Sequence, residues 1–135
     1  MSDQENVNVV KGLFADFGRG DVAGVLGRLT EDVEWRLAGP TELTYAGIHR
    51  GRDQVAQFFK LLADTAEFEL FEPQEYIAQG NKVVTLGHYT GKTKNGGSFD
   101  SDFVMVFTLR NGKVVAFQEF LDSAAYNAAF ASLPA

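Results

Sequence analysis

The chain has 135 residues, a net charge of −6 at pH 7 and no cysteine. That length suits a single domain over residues 1–135 with one core. An acidic chain without clustered Lys and Arg repels phosphate backbones, so nucleic-acid binding is not expected, and without cysteine there is no disulfide framework or thiolate chemistry.

The N-terminus opens on Ser2 and Glu5 at capping-box spacing. Val7, Val10, Leu13, Phe14 and Phe17 then recur at helical spacing, which predicts a first helix with one apolar face, ended by Gly18 and Gly20. Asp21 caps a shorter second helix through Val22, Val25, Leu26 and Leu29, weakened by Gly24 and Gly27. Val33, Trp35 and Leu37 alternate with Glu34 and Arg36, the pattern of a half-buried strand. Gly39-Pro40 ends it, and residues 41–50 read as a loop or short hairpin. A third helix follows Gly51 with Val55, Phe58, Phe59 and Leu62 on one face.

From there the period is two. Four strands are predicted: Phe68–Gln79, Val83–Lys92, Phe99–Leu109 and Val114–Leu121. Pro73 cannot donate to a ladder, so it marks a bend or a sheet edge in the first of them. Asn95-Gly96-Gly97 and Asn111-Gly112 are the turns, the latter the strongest hairpin signal in the chain. A last helix is expected from Ser123 to about Ser132. Helices first and a sheet after them make an α+β arrangement. A strongly twisted sheet with helices over its concave face leaves a cavity with one mouth, where a small ligand would sit. Twelve Phe, four Tyr and one Trp supply either a Phe-rich core or an aromatic-lined cavity.

Three segments carry a family resemblance: Gly20-Asp21 leading through Leu29 to Val33-Glu34-Trp35, Tyr45-Ala46-Gly47-Ile48-His49-Arg50-Gly51 before Phe58-Phe59, and Asn111-Gly112-Lys113-Val114 running into Glu119-Phe120-Leu121-Asp122. Their order resembles the nuclear-transport-factor-2-like superfamily, and within it the SnoaL-like, ketosteroid-isomerase-related branch. The resemblance implies a curved antiparallel sheet wrapped by three N-terminal helices into a cone with one internal pocket, a cystatin-like α+β roll. It implies a small, largely apolar organic ligand; no cofactor is expected, because no glycine-rich phosphate loop follows a strand and opens a helix. It leaves open an isomerase, lyase or cyclase, a non-catalytic carrier, or an interaction module.

Lining up the segments puts Trp35 where a ketosteroid isomerase has its base, Leu13 where it has its tyrosine and Val104 where it has its second acid. None of these side chains can play those parts, and neither can Phe14 one residue on, so that reaction is not expected. Epoxide hydrolysis wants an arginine beside the acids; Arg36 and Arg110 are poorly placed for it. Glu119 shares a strand face with Phe117 and Leu121, and the resemblance turns that face into the pocket. There desolvation would raise its pKa and fit it for acid–base work. Asp102 is the second candidate acid: counting from the Asn-Gly turn puts it on the inner face with Val104 and Val106, though a bulge would reverse that. A two-residue turn at Asn95-Gly96 would pair Asp102 with Tyr89.

Trp35, Phe14, Phe17, Phe59, Tyr45, Tyr89, Val104 and Leu121 are the expected substrate-binding residues. His49 in a loop and His88 in mid-strand are weaker catalytic candidates, and no cluster has metal-ligand spacing. Phe103, Met105 and Phe107 make the third predicted strand of the meander apolar on its other face as well, which points to a homodimer packed through the convex sheet. The polar, acidic start and the lack of a membrane-spanning apolar run suggest a cytoplasmic protein that does not contact membranes.

Overall fold

The computed structural model describes residues 2–37, 47–94 and 96–122. Tyr45 and the helix expected after Ser123 lie outside the described residues. The first helix, α1 (Asp3–Gly18), starts as the sequence predicts: Glu5 N–H donates to Ser2 Oγ, and Glu5 reaches back to the Ser2 N–H. It buries Val7, Val10 and Leu13. The short α2 (Val22–Gly27) is capped by the Asp21 carboxylate, which accepts from Gly24 N–H at 2.9 Å. Asp16, buried near the end of α1, joins the two helices by accepting from Arg28 Nε at 2.7 Å and from Arg19. These guanidinium partners, Arg28 first, hold its carboxyl below the usual carboxylate range.

The strand β1 (Leu29–Leu37) is longer than its alternating core suggested, and β2 (Gly47–Arg50) pairs back on it. Next comes α3 (Gly51–Thr65), which buries Val55, Phe58, Phe59 and Leu62. The meander is β3 (Ala66–Gln79), β4 (Lys82–Thr93), β5 (Ser98–Arg110) and β6 (Lys113–Leu121). All six strands form one sheet in the order β2-β1-β6-β5-β4-β3. Four neighbouring pairs are antiparallel, the whole predicted meander among them; β1 joins it by pairing parallel to β6. β2 and β3 are the edges, so the sheet stays open and Pro73 sits on an edge strand. No described helix is long and apolar enough to cross a membrane.

Curvature comes from β3 and β4. The β3–β4 register shifts between Phe68 and Leu70 and again between Pro73 and Glu75. Opposite these bulges, Gly87 and Gly91 of β4 face Phe103 and Phe99 of β5. A Cβ at Gly87 would strike the Phe103 ring and stand 2.5 Å from the Glu72 carbonyl oxygen. The missing side chains let two rings lie flat against β4 where the sheet bends. Gly87→Ala is therefore expected to cost ~1–3 kcal/mol, read as a lower urea midpoint at unchanged slope.

Two local features set which face of β5 looks inward, and both run against the sequence count. Thr93 N–H donates to Gly97 O at 2.9 Å, so the β4–β5 connection is one residue longer than a two-residue turn. His88 thus pairs with Asp102, and Tyr89 with Ser101. At the other end, Asn111 and Gly112 take positive φ (52° and 81°) as expected. Past that turn the β5–β6 register slips between the pairs Leu109–Val114 and Thr108–Ala116, leaving Val115 unmatched. A one-residue slip turns every side chain over. Phe103, Met105 and Phe107 are accordingly buried inside the cone, and are not the convex dimer face. Asp102 and Val104 point outward, with Val106, Leu86 and the exposed Phe120 beside them.

Candidate functional site

Glu119 sits in the middle of the sheet, paired with Met105 of β5 on one side and Leu37 of β1 on the other. Its side chain points into the cone and is 7% exposed. Tyr89 reaches over from β4, and its hydroxyl donates to Glu119 Oε2 at 2.7 Å. The tyrosine has little freedom to leave. Its ring is stacked on Phe103 at 5.1 Å, with Phe68 and Phe99 against its other sides. Across the cavity Trp35 stacks on Phe117 at 3.9 Å and touches Phe58 and Phe59.

These groups enclose a cavity of about 50 Å³ between the sheet, α1 and α3. Trp35, Tyr89 and Glu119 are its polar-bearing side chains; among the described lining residues there is no Lys, Arg or His. An anionic ligand would find no countercharge, so the lining suits a neutral molecule. Burial pushes the Glu119 carboxyl up to about 7, against the opposing pull of the Tyr89 hydrogen bond. Near neutral pH the site therefore holds comparable amounts of a carboxylate that takes a proton and a carboxylic acid that gives one.

The structure brings Glu119, Trp35, Phe14, Phe17, Phe59 and Tyr89 together around this cavity. It removes Asp102 and Val104, which the register turns to the outer face, while Leu121 ends β6 without lining the cavity. Asp102 is instead one arm of a surface clamp on His88: Nδ1 lies 2.7 Å from Asp102 and Nε2 2.6 Å from Asp100. Two acceptors on one ring favour the imidazolium, and the Asp102 bond leads in holding its pKa above the usual value. His88 thus has no access to the cavity. His49 packs its ring against Phe58 at 5.4 Å and also stays outside the lining.

Leu13 and Trp35 line the cavity where the ketosteroid-isomerase alignment put them, and neither supplies the missing tyrosine or base. Arg36 pairs with Glu34 on the exposed side of β1, leaving no arginine for epoxide chemistry among the described lining residues. Among the described residues no group of His, Asp and Glu is spaced to hold a metal ion.

Sequence reasoning missed Phe68 and Phe71 on β3, and Met105 and Phe107 on β5. The two β3 rings are both masked by the bulges, since spacing alone assigns Phe68 and Phe71 to opposite faces. The Tyr89–Glu119 bond joins residues 30 apart and depends on the register of the strand between them.

Residues 10–117 match the profile of the SnoaL-like domain. An NTF2-like protein from Burkholderia xenovorans LB400 has the same fold, with a TM-score of 0.87 at 38% identity over 96% of this chain and 98% of that one. TerC, crystallised with polyporic acid, superposes with a TM-score of 0.84 at 26% identity, covering 95% of this chain and 99% of its own. An uncharacterised protein of Mycobacterium tuberculosis is 26% identical over 121 residues, 89% of this chain and 91% of its own length.

Proposed function

This chain belongs to the SnoaL-like domain family, and we propose that it is a cofactor-independent acid–base catalyst of the isomerase or cyclase kind, acting on a small, largely apolar organic molecule. The observation that carries the reading is a carboxyl, Glu119, buried among aromatic rings and titrating at about 7. The TerC relative, crystallised with polyporic acid, supports an organic ligand for this fold.

In this reading Glu119 takes a proton from carbon next to a carbonyl and returns it at another atom. Tyr89 supplies a hydrogen bond that strengthens as the carboxylate gains charge, and so makes ionisation less costly in an apolar site. Aromatic walls hold the ligand's apolar body and keep water from the reacting carbon.

The test is deuterium exchange at the α-carbon of 2-tetralone in D2O. Exchange should rise with pH to a plateau, half-maximal near the Glu119 midpoint, and fall by ~10²–10⁴-fold in Glu119→Gln. Equal exchange in wild type and Glu119→Gln would remove the catalytic role. Trp35 is the sole tryptophan and lines the cavity, so its fluorescence reports binding separately. Tight binding without exchange would make the protein a carrier.

A further inference from the structure

A second, larger hollow lies outside the cone, between the C-terminal end of α1 and the bulged edge strand β3. It measures about 510 Å³ and is lined by Ala15, Gly18, Gly20 and Pro73 together with four phenylalanines. Those four, Phe14, Phe17, Phe68 and Phe71, also line the inner cavity. They form a partition one ring thick. Phe17 touches Phe71 at 5.1 Å and Phe68 at 6.0 Å, and Phe14 touches Phe71 at 5.7 Å. On the inner side Phe68 and Phe71 rest on the Tyr89 ring at 5.4 and 6.1 Å. The hollow is thus one ring away from the tyrosine that holds Glu119.

The two volumes decide what this arrangement is for. A cavity of about 50 Å³ holds a water or two and no aromatic ring. Any organic ligand that reaches Glu119 must part its aromatic lining, and one with a tail must put the tail somewhere. The outer hollow is roughly ten times larger, and none of its described lining residues carries a charge. All four phenylalanines of the partition are only partly buried, so their rings already give part of their apolar surface to solvent.

We propose that the α1–β3 hollow is the entrance and tail subsite of the pocket: the ligand enters between Phe14, Phe17, Phe68 and Phe71, leaves its polar head at Glu119 and Tyr89, and lays a linear apolar tail along the hollow. The proposal rests on the inner cavity taking an organic ligand, as argued above. It assigns that ligand a class, a neutral carbonyl compound with an alkyl tail.

The experiment uses phenyl alkyl ketones from acetophenone to octanophenone, with affinity read by quenching of Trp35. In the wild type each added CH₂ should tighten binding about fourfold, the factor for burying one methylene. Gly18→Leu fills the hollow from its rim. No described atom lies within 4 Å of where the Gly18 Cβ would stand, so the substitution does not strain the fold. Ala15→Leu, also at an exposed helical position, is an independent second plug. In both variants affinity should no longer rise from acetophenone to octanophenone. A flat series in the wild type overturns the proposal, as does a gain that survives both plugs. The readout is binding alone, so it separates from catalysis. If chain length matters and Glu119→Gln still exchanges 2-tetralone, the acid–base reading falls and the tail subsite stands. If no ketone binds while Glu119 still titrates near 7, the tail subsite falls and the acid remains.

Discussion

Glu119→Gln should make the protein more stable than the wild type by about 3 kcal/mol at pH 8, and leave it nearly unchanged at pH 4. In the unfolded chain the carboxyl titrates at its ordinary value of 4.5; in the fold it titrates at about 7. Below 4.5 it is neutral in both states and has no effect on stability. As the pH rises, the unfolded state ionises first and gains free energy that the folded state cannot match. Stability is lost between 4.5 and about 7 and stays lost above that, at 1.36 kcal/mol per pH unit of the gap. Glutamine has the same shape and can keep the Tyr89 bond, yet never ionises. Urea denaturation of both proteins at pH 4 and pH 8 checks this. A difference that is the same at both pH values would mean that Glu119 is not the buried acid the structure shows. A residue that weakens the fold near neutral pH is a candidate for function, which is the role proposed for Glu119 above.

The sequence is most readable where the physics is local. Ser2, Glu5 and Asp21 announce their helix starts, and Asn111-Gly112 announces its hairpin, because each cap or turn is decided within a few residues. Alternation placed every strand of the meander. Alternation puts Phe117 and Glu119 on one strand face and the resemblance turns that face inward; both side chains line the cavity. What failed was β5, where facing depends on two connections at once. The Thr93–Gly97 closure adds one residue at one end, and the unmatched Val115 adds one at the other. Both shifts act in the same direction and reinforce each other. Because β5 is apolar on both faces, its own sequence could not correct the count.

The same register is open to a direct stability test with a large expected effect. Phe103→Ala should cost ~3–5 kcal/mol, and Val104→Thr less than ~1.5 kcal/mol, both by urea denaturation at pH 5. Phe103 is 2% exposed, stacked between Phe71 at 5.4 Å and Tyr89 at 5.1 Å, and fills the space left by Gly87. Its loss leaves a ring-sized void in a strongly curved part of the sheet, where the backbone cannot close in. Val104 is half-buried on the outer face, where a hydroxyl can reach water. Had the strand been turned over, the order of the two costs would invert. A larger loss for Val104→Thr would therefore restore the opposite register and return Asp102 to the pocket. A further consequence links packing to chemistry. Phe103 helps to fix the Tyr89 ring, and the Tyr89 hydroxyl is what keeps Glu119 from titrating still higher. Phe103→Ala should therefore raise the Glu119 midpoint as well as weaken the fold, although Phe103 touches neither carboxylate oxygen by hydrogen bond. The same midpoint measured in Tyr89→Phe sets the ceiling for that shift. Phe103→Ala should fall between the wild type and Tyr89→Phe, because a loosened ring still makes the bond part of the time.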